Sequence, residues 1–422
     1  MPRQRYLKTI TKVGTLQSSV GSKIFSITKD IEGNLYEIGY AEGLLDVQEE
    51  QMDLKFPTLY ISKSKFEDDK RIFHFLSFFP ELVIAEDIGS YDISTVDNGK
   101  NIYVIGPFLG DRIEQFDTEA SEAFFLHLNS SGELVQQLFL EGAQGFLPLG
   151  LSGPFLFGNY KGLLRIRKNE EEEPPVQEIS TETTTPKAFV AKYENLGFRW
   201  FTFLDVRTSI SKDPLLTLTS IADDFNNVYV GGSFRGCLVY ENQGVAQNKC
   251  AATGVLLKIN GDNGDLLWTR NQNIGYDSAD STYLDLSVGG KRYNSLFTVS
   301  LICDEDLVIL EKIGSHGAKE KKVKVEHEKG DEFYRIYADG KYVYLLSFSS
   351  LRMYDLSLRL LSKTEITGMV GNNYVKPLTS LGRQLYLGLG AQKDFTLGNF
   401  LLSRVSPESI LVSDSQSLIL GF

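Results

Sequence analysis

The sequence predicts an all-β protein made of repeated four-stranded antiparallel units, and three observations predict it. An aromatic residue, two mostly apolar residues and a small residue recur in that order seven times, anchored at Tyr36, Tyr103, Phe155, Tyr229, Phe297, Tyr344 and Tyr386. The segments around the anchors read LYEIG, IYVIG, FLFG, VYVGG, LFTVS, VYLLS and LYLGLG. Between them, alternating apolar and polar residues are punctuated by Gly, Asn and Asp, the pattern of consecutive antiparallel strands. Finally, 20 Tyr and 27 Phe against 2 Trp and 4 Met suit pleated strands, and helix formers never gather into a 3.6-residue stripe. A β unit repeated this often implies a radial or stacked architecture, because each unit buries its apolar face against the next.

The fourth unit displays its four strands most clearly. LTLTSIAD (Leu216 to Asp223) is the first, NNVYVGGSF the second, GVLLKIN (Gly254 to Asn260) the third, and LLWTRN (Leu266 to Asn271) the fourth, after the turn GDNGD. The same third-strand, turn, fourth-strand hairpin recurs as AFFLHLNSSGELVQQLFL, AFVAKYENLGFRWFTFL and NFLLSRVSPESILVSDS. Both tryptophans, Trp200 and Trp268, fall just beyond such a turn. After each anchor comes a small residue, at Gly39, Gly106, Gly158, Gly232, Ser300 and Ser347, as expected of an inner strand where sheets crowd towards an axis. The seventh unit shifts its glycine by one, to Gly390, which suggests a bulge or a misplaced anchor.

From Ala188 to Phe234 the composite Ala-Phe-Val-Ala-Lys, turn, Trp-x-Thr, Ala-x-Asp-x-x-Asn-Val-Tyr-Val-x-Gly resembles the β-propeller repeat called SBBP. The match is close there, fair in units two, four and seven, and degenerate in units five and six. The resemblance implies a seven-bladed β-propeller of four-stranded antiparallel blades. It implies no catalytic residue, since the shared positions belong to strands and turns. LLKINGDNGDLLWTR is similar to the tryptophan-docking repeat of quinone-dependent dehydrogenase propellers. That family carries the motif in most blades; with one copy here and an echo at Trp200, it reads as a blade hairpin and no cofactor is expected.

Residues 1–422 are therefore expected to form a single β-propeller. RYLKTITKVGT looks like a fourth strand with nothing before it, so the N-terminal strand is expected to complete the last blade and close the ring, in competition with the C-terminal runs ILVSDS and SLILGF. Two insertions interrupt the pattern. Residues 168–187 are acidic and rich in Pro and Thr, a solvated excursion. Residues 314–330 carry both charges around KVKVEHE, an edge-strand pattern. Leu44 to Pro57 reads as a short helix or loop.

Composition narrows the function. A formal charge of −12 argues against broad nucleic-acid binding, which rests on neutralising phosphates. No apolar run is long enough to span a bilayer and no signal-peptide core follows the basic opening, so a soluble, intracellular protein is expected; association with a virion is compatible with this. Cys237, Cys250 and Cys303 are too few for a disulfide framework and read as reduced, buried thiols, although Cys237 and Cys250 lie at hairpin distance.

Candidate chemistry is sparse. His74, His127, His316 and His327 are scattered without zinc spacing, and His74 and His127 read as strand-face residues. Acidic groups at Asp223–Asp224, Asp277–Asp280 and Asp304–Glu305–Asp306 offer paired carboxylates for acid/base or calcium chemistry, but each falls where a turn is expected and reads as a turn former. Lys319 to Lys324, and Lys161, Arg165, Arg167 and Lys168, read as solvated basic faces. No nucleophile elbow or phosphate loop is present. Catalytic, cofactor-binding and metal-binding residues are accordingly expected to be absent.

The leading expectation is a non-catalytic scaffold for protein–protein interaction, part of a larger assembly, with an unidentified protein partner. Phe108, Phe146, Phe155 and Phe234 are its candidate contact aromatics, each with core packing as the plainer role. A structural protein of a virion or surface layer is a narrower form of the same idea. A lyase or hydrolase sited at a channel mouth is the enzymatic alternative. A lectin-like propeller would need near-identical pockets, and the repeats diverge too far for that.

Overall fold

The computed structural model describes residues 11–18, 21–47, 50–67, 70–83, 91–108, 122–142, 146–160, 164–167, 177–178, 185, 187–207, 214–224, 226–241, 243–272, 280–289, 295–303, 306–326, 334–367, 378–381, 384–391, 395–397, 400–402 and 416–421. Their long elements are all β-strands, and no helix among them is long and apolar enough to cross a membrane. The chain divides into two compact units. One comprises Met1–Phe139, Phe348–Leu351 and Ser362–Phe422; the other comprises Leu140–Ser347 and Arg352–Leu361.

In the first unit, Gly21–Lys29, Leu35–Val47, Glu50–Glu67 and Lys70–Val83 pair in sequence order as an antiparallel run. Asp92–Val96, Asn101–Phe108 and Glu122–Asn129 pair in the same way, and Leu134–Gly142, which this unit includes as far as Phe139, follows the last of them. Leu378–Leu381, Gln384–Ala391 and Gln416–Gly421 are joined by the N-terminal strand Thr11–Ser18, with Thr11 opposite Gly421 and Leu16 opposite Ser417. The N-terminal strand and SLILGF are thus neighbours in one sheet and do not compete for a place in it. ILVSDS lies outside the described residues.

In the second unit, one run is Phe146–Ser152, Phe155–Tyr160, Lys187–Glu194 and Gly197–Arg207. The next is Leu215–Asp223, Asn227–Tyr240, Gln243–Asn260 and Leu266–Asn271, the four strands legible in the fourth repeat. Ser281–Gly289, Ser295–Ile302, Leu307–Gly314 and Lys319–Val325 form a third, and Tyr334–Ala338 pairs with Tyr342–Ser347.

The expected seven separate four-stranded sheets do not form: in each unit two runs fuse into one eight-stranded sheet. Strand length is the cause. Asn227–Tyr240 outgrows its own run, bends at a register shift beside Gly236 (φ 126°), and pairs Cys237–Tyr240 with Leu204–Arg207 of the preceding run. Leu45 and Asp46 likewise pair with Ser18 and Gln17. Each extension satisfies backbone groups that an edge strand would otherwise leave open.

The stretch from Leu44 to Pro57 is also corrected. Its described residues are strand and not helix or loop, with Gly43 opposite Leu54 and Val47 opposite Glu50. Within the acidic insertion, Gln177 and Glu178 form a short strand against Ile166 and Arg165, where no strand was expected.

Apolar residues gather between successive runs. Tyr36, Ile38 and Tyr40 of one run pack with Tyr91, Ile93 and Val104 of the next. Val299 and Leu310 pack in the same way with Tyr334 and Leu345. Burying each such side chain is worth about 1.5–3 kcal/mol, so these contact zones are the stability of the fold.

Candidate functional site

The anchor aromatics occupy the second strand of each run. Tyr36, Tyr103, Phe155, Tyr229, Phe297 and Tyr344 are buried; the side chain of Tyr386 lies outside the described residues. Directly across on the third strand stands a basic residue: Lys63 opposite Tyr36, His127 opposite Tyr103, Lys192 opposite Phe155, Lys258 opposite Tyr229 and Lys312 opposite Phe297. Three of the ammonium groups lie 5.4, 5.8 and 5.2 Å from the centroids of the Tyr36, Phe155 and Tyr229 rings, within cation–π range. His127 is the imidazole member of this series. Its ring meets Tyr103 edge-on, its Nε2 lies 2.9 Å from Asn101 Oδ1, and burial pushes its pKa down.

Beside three anchors the first strand of the run bulges against the second. Register shifts between Ile24 and Ser26, Leu218 and Ser220, and Tyr283 and Asp285 fall opposite Gly39, Gly232 and Ser300. The extra residue is aimed at the next run. Phe25 stacks on Tyr91 at 4.2 Å, and the Thr219 hydroxyl donates to the Tyr283 carbonyl at 2.5 Å. The small residues are also held small by their immediate neighbours. A Cβ on Gly232 would sit 2.0 Å from the Thr217 carbonyl oxygen, while one on Gly106 would meet Tyr91 at 2.2 Å and one on Gly158 would meet Phe189 at 2.6 Å. At Gly232, Gly106 and Gly158, bulged backbone or a neighbouring ring leaves no room for a Cβ.

Both tryptophans dock on the following run. The Trp200 indole N–H donates to the Gly261 carbonyl (3.2 Å) and its ring covers Gly264; the Trp268 N–H donates to the Ser315 carbonyl (3.1 Å) and its ring covers Gly317. Phe75 covers Gly132 in the same relation, with the Ser77 hydroxyl donating to the Gly132 carbonyl at 3.0 Å. The three covered glycines have φ of 82°, 78° and 82°, a conformation that costs glycine little.

Aspartates ahead of the anchors organise the first turns. Asp30 accepts the N–H groups of Glu32 and Asn34 and the Tyr36 hydroxyl (2.9 Å). Asp224 accepts those of Asn226 and Asn227 and the Tyr229 hydroxyl (2.7 Å). Burial first, then the adjacent carboxylate, raises both tyrosines far above their ordinary pKa. Deeper in the contact zones, Asp92 accepts the Ser26 hydroxyl (2.8 Å), Asp285 the Ile336 N–H (2.9 Å), and Asn159 exchanges two bonds with the Leu218 backbone (2.7 and 2.8 Å).

Asp223 accepts the Ser152 hydroxyl. Asp280 departs from the turn reading: it takes the Ala252 N–H at 2.6 Å and faces Arg235 at 3.7 Å. Asp306 sits in a turn at φ 49°. Asp277, Asp304, Glu305, His327, Lys161 and Lys168 lie outside the described residues, as do the side chains of Arg167, Cys250, Phe108 and Phe146. His74, His316 and Arg165 are exposed. Cys237 is a buried free thiol, whereas Cys303 is exposed, contrary to the expectation of burial. Phe155 and Phe234 are core residues and not surface contacts. Among the described residues no three His, Cys, Asp or Glu side chains converge as a metal site.

These sheets define an all-β protein with propeller-like antiparallel runs. No protein-family model and no curated protein matches the chain. Solved structures similar to it include Kuenenia stuttgartiensis hydrazine synthase (10% identity, 75% of this chain and 78% of that one, TM-score 0.38). Kluyvelomyces marxianus Hsv2 (9%, 82% and 94%, 0.34) and prolyl oligopeptidase B from Galerina marginata (8%, 89% and 54%, 0.35) are others. At these scores nothing of the chemistry of those proteins passes to this chain.

Proposed function

We propose that the chain is a non-catalytic scaffold for protein–protein interaction within a larger assembly, its four-strand runs acting as blades of an SBBP-type β-propeller completed by the N-terminal strand. The observation that carries this reading is how the acidic side chains are used. Asp30, Asp223, Asp224 and Asp280 bind backbone N–H groups, hydroxyls or Arg235, as structural aspartates do. Contact surface is offered instead by Ile31 (88% exposed), Phe56 (75%) and Leu196 (55%), large apolar side chains carried on turns and hairpins. Partners are proteins, and the acidic charge suits neither nucleic acid nor an anionic lipid surface.

Native mass spectrometry with chemical cross-linking of the protein from its natural source tests this. A defined heteromeric complex is the expected result. Recovery of the monomer alone at native concentration would overturn the reading. So would turnover in a hydrolase or lyase screen that disappears when one of these aspartates is replaced, since that outcome installs the enzymatic alternative.

A further inference from the structure

We infer that the outer edge of Lys319–Val325 is a docking edge for an extended segment of a partner protein that alternates acidic and apolar residues. This deepens the scaffold reading and rests on it. The strand ends the sheet ordered Ser281–Gly289, Ser295–Ile302, Leu307–Gly314, Lys319–Val325, and among the described residues its outer side bears no further strand. Its inner side is paired from Ile313 opposite Lys319 to Val308 opposite Val325. Outward-facing N–H and C=O groups of such an edge form a template for one more strand.

The side chains specify what that strand must carry. Lys319, Lys321, Lys322 and Lys324 are exposed, and none has a carboxylate partner among the described residues; Glu320 is taken by Lys312 at 2.8 Å. Successive residues point to opposite faces. Lys322 and Lys324 therefore share one face, while Val323 and Val325 share the other and pack on the cluster of Phe297, Val308 and Leu310. An added strand gains most by setting acidic residues beside the two lysines and apolar residues beside the two valines. Lysine alone would serve to keep an edge solitary. Its alternation with valines that continue the core is what favours a ligand. A second copy of this edge is disfavoured where Lys322 would face Lys324, and a nucleic acid would leave the valine face and the backbone groups unused.

The test uses the full chain and a labelled peptide with a Glu-Val-Glu-Val core flanked by Ser and Gly. Its Lys-Val-Lys-Val counterpart and a single-stranded oligonucleotide of equal charge are the controls. Fluorescence anisotropy is expected to show saturable binding of the acidic peptide only, with slowed amide exchange across Lys319–Val325. The double variant K322E/K324E should weaken binding about tenfold or more, as expected when two opposed charge pairs become like-charge pairs. The neutral pair K322S/K324S should fall between, and unchanged circular dichroism confirms that both variants fold. Absence of saturable binding, equal binding by the oligonucleotide, or binding indifferent to K322E/K324E overturns the inference. A native complex that forms equally well with K322E/K324E overturns this edge while sparing the scaffold reading.

Discussion

At the scale of the residue, the repeated unit is a buried ring clasped from two sides. Tyr229 shows both: its hydroxyl donates to Asp224, and Lys258 lies over its face. Tyr229→Phe keeps the ring and loses the bond, leaving Asp224 one donor short, so a loss of about 1–2 kcal/mol in chemical denaturation is expected. His127 occupies the place that lysine takes elsewhere. His127→Lys should therefore cost less than about 1 kcal/mol, whereas a metal or catalytic histidine would not tolerate it. This part of the site was legible in the sequence. LHLN, AKYEN, LLKIN and LEKIG place their basic residue at one position of one strand. Asp280 was not legible, because its partners Ala252 and Arg235 are distant in sequence and nothing local announces them.

At the scale of the element, two close approaches separate packing from backbone constraint. A methyl group on Gly106 would press on Tyr91, a ring able to give way, and about 1–3 kcal/mol of overpacking is expected for Gly106→Ala. A methyl group on Gly232 would press on the Thr217 carbonyl at a bulge, so Gly232→Ala should destabilise more than Gly106→Ala in parallel melts. The reverse order would remove the bulge as the reason for small residues. Trp268 links one run to the next through both its N–H and its ring. Trp268→Phe should lose the bond to Ser315, about 1 kcal/mol, and Trp268→Ala the packing on Gly317 as well, about 3 kcal/mol in all. Strands and turns were readable because alternation and turn chemistry are local signals. Bulges are not: Gly390, where one is expected, pairs with Ser417 in unbroken register, while the bulges beside Ser26, Ser220 and Asp285 leave the apolar pattern intact on either side. Fusion of runs depends on how far Asn227–Tyr240 extends past Phe234, and only a distant partner, Leu204–Arg207, decides that.

At the scale of the whole molecule, the buried tyrosines set a limit in alkali. Burial is the largest cause of the raised pKa of Tyr36, Tyr229, Tyr240, Tyr283 and Tyr344, all lifted well above the ordinary value of 10.0. Below pH 10 these groups are protonated both folded and unfolded and contribute no slope. Above it the unfolded chain releases protons that the folded one retains, so stability falls as pH rises. Each tyrosine that the fold keeps protonated withdraws up to about 1.4 kcal/mol per pH unit above 10, and four of the five act on the second unit together. Unfolding is therefore expected as the pH rises above 10, with tyrosinate absorbance and circular dichroism changing together. Tyr229→Phe, though less stable at neutral pH, should show a shallower alkaline slope by one proton. Smooth ionisation of all 20 tyrosines near pH 10 with the circular dichroism intact would mean that these rings are open to water, and the anchors would then cease to be the core of their runs.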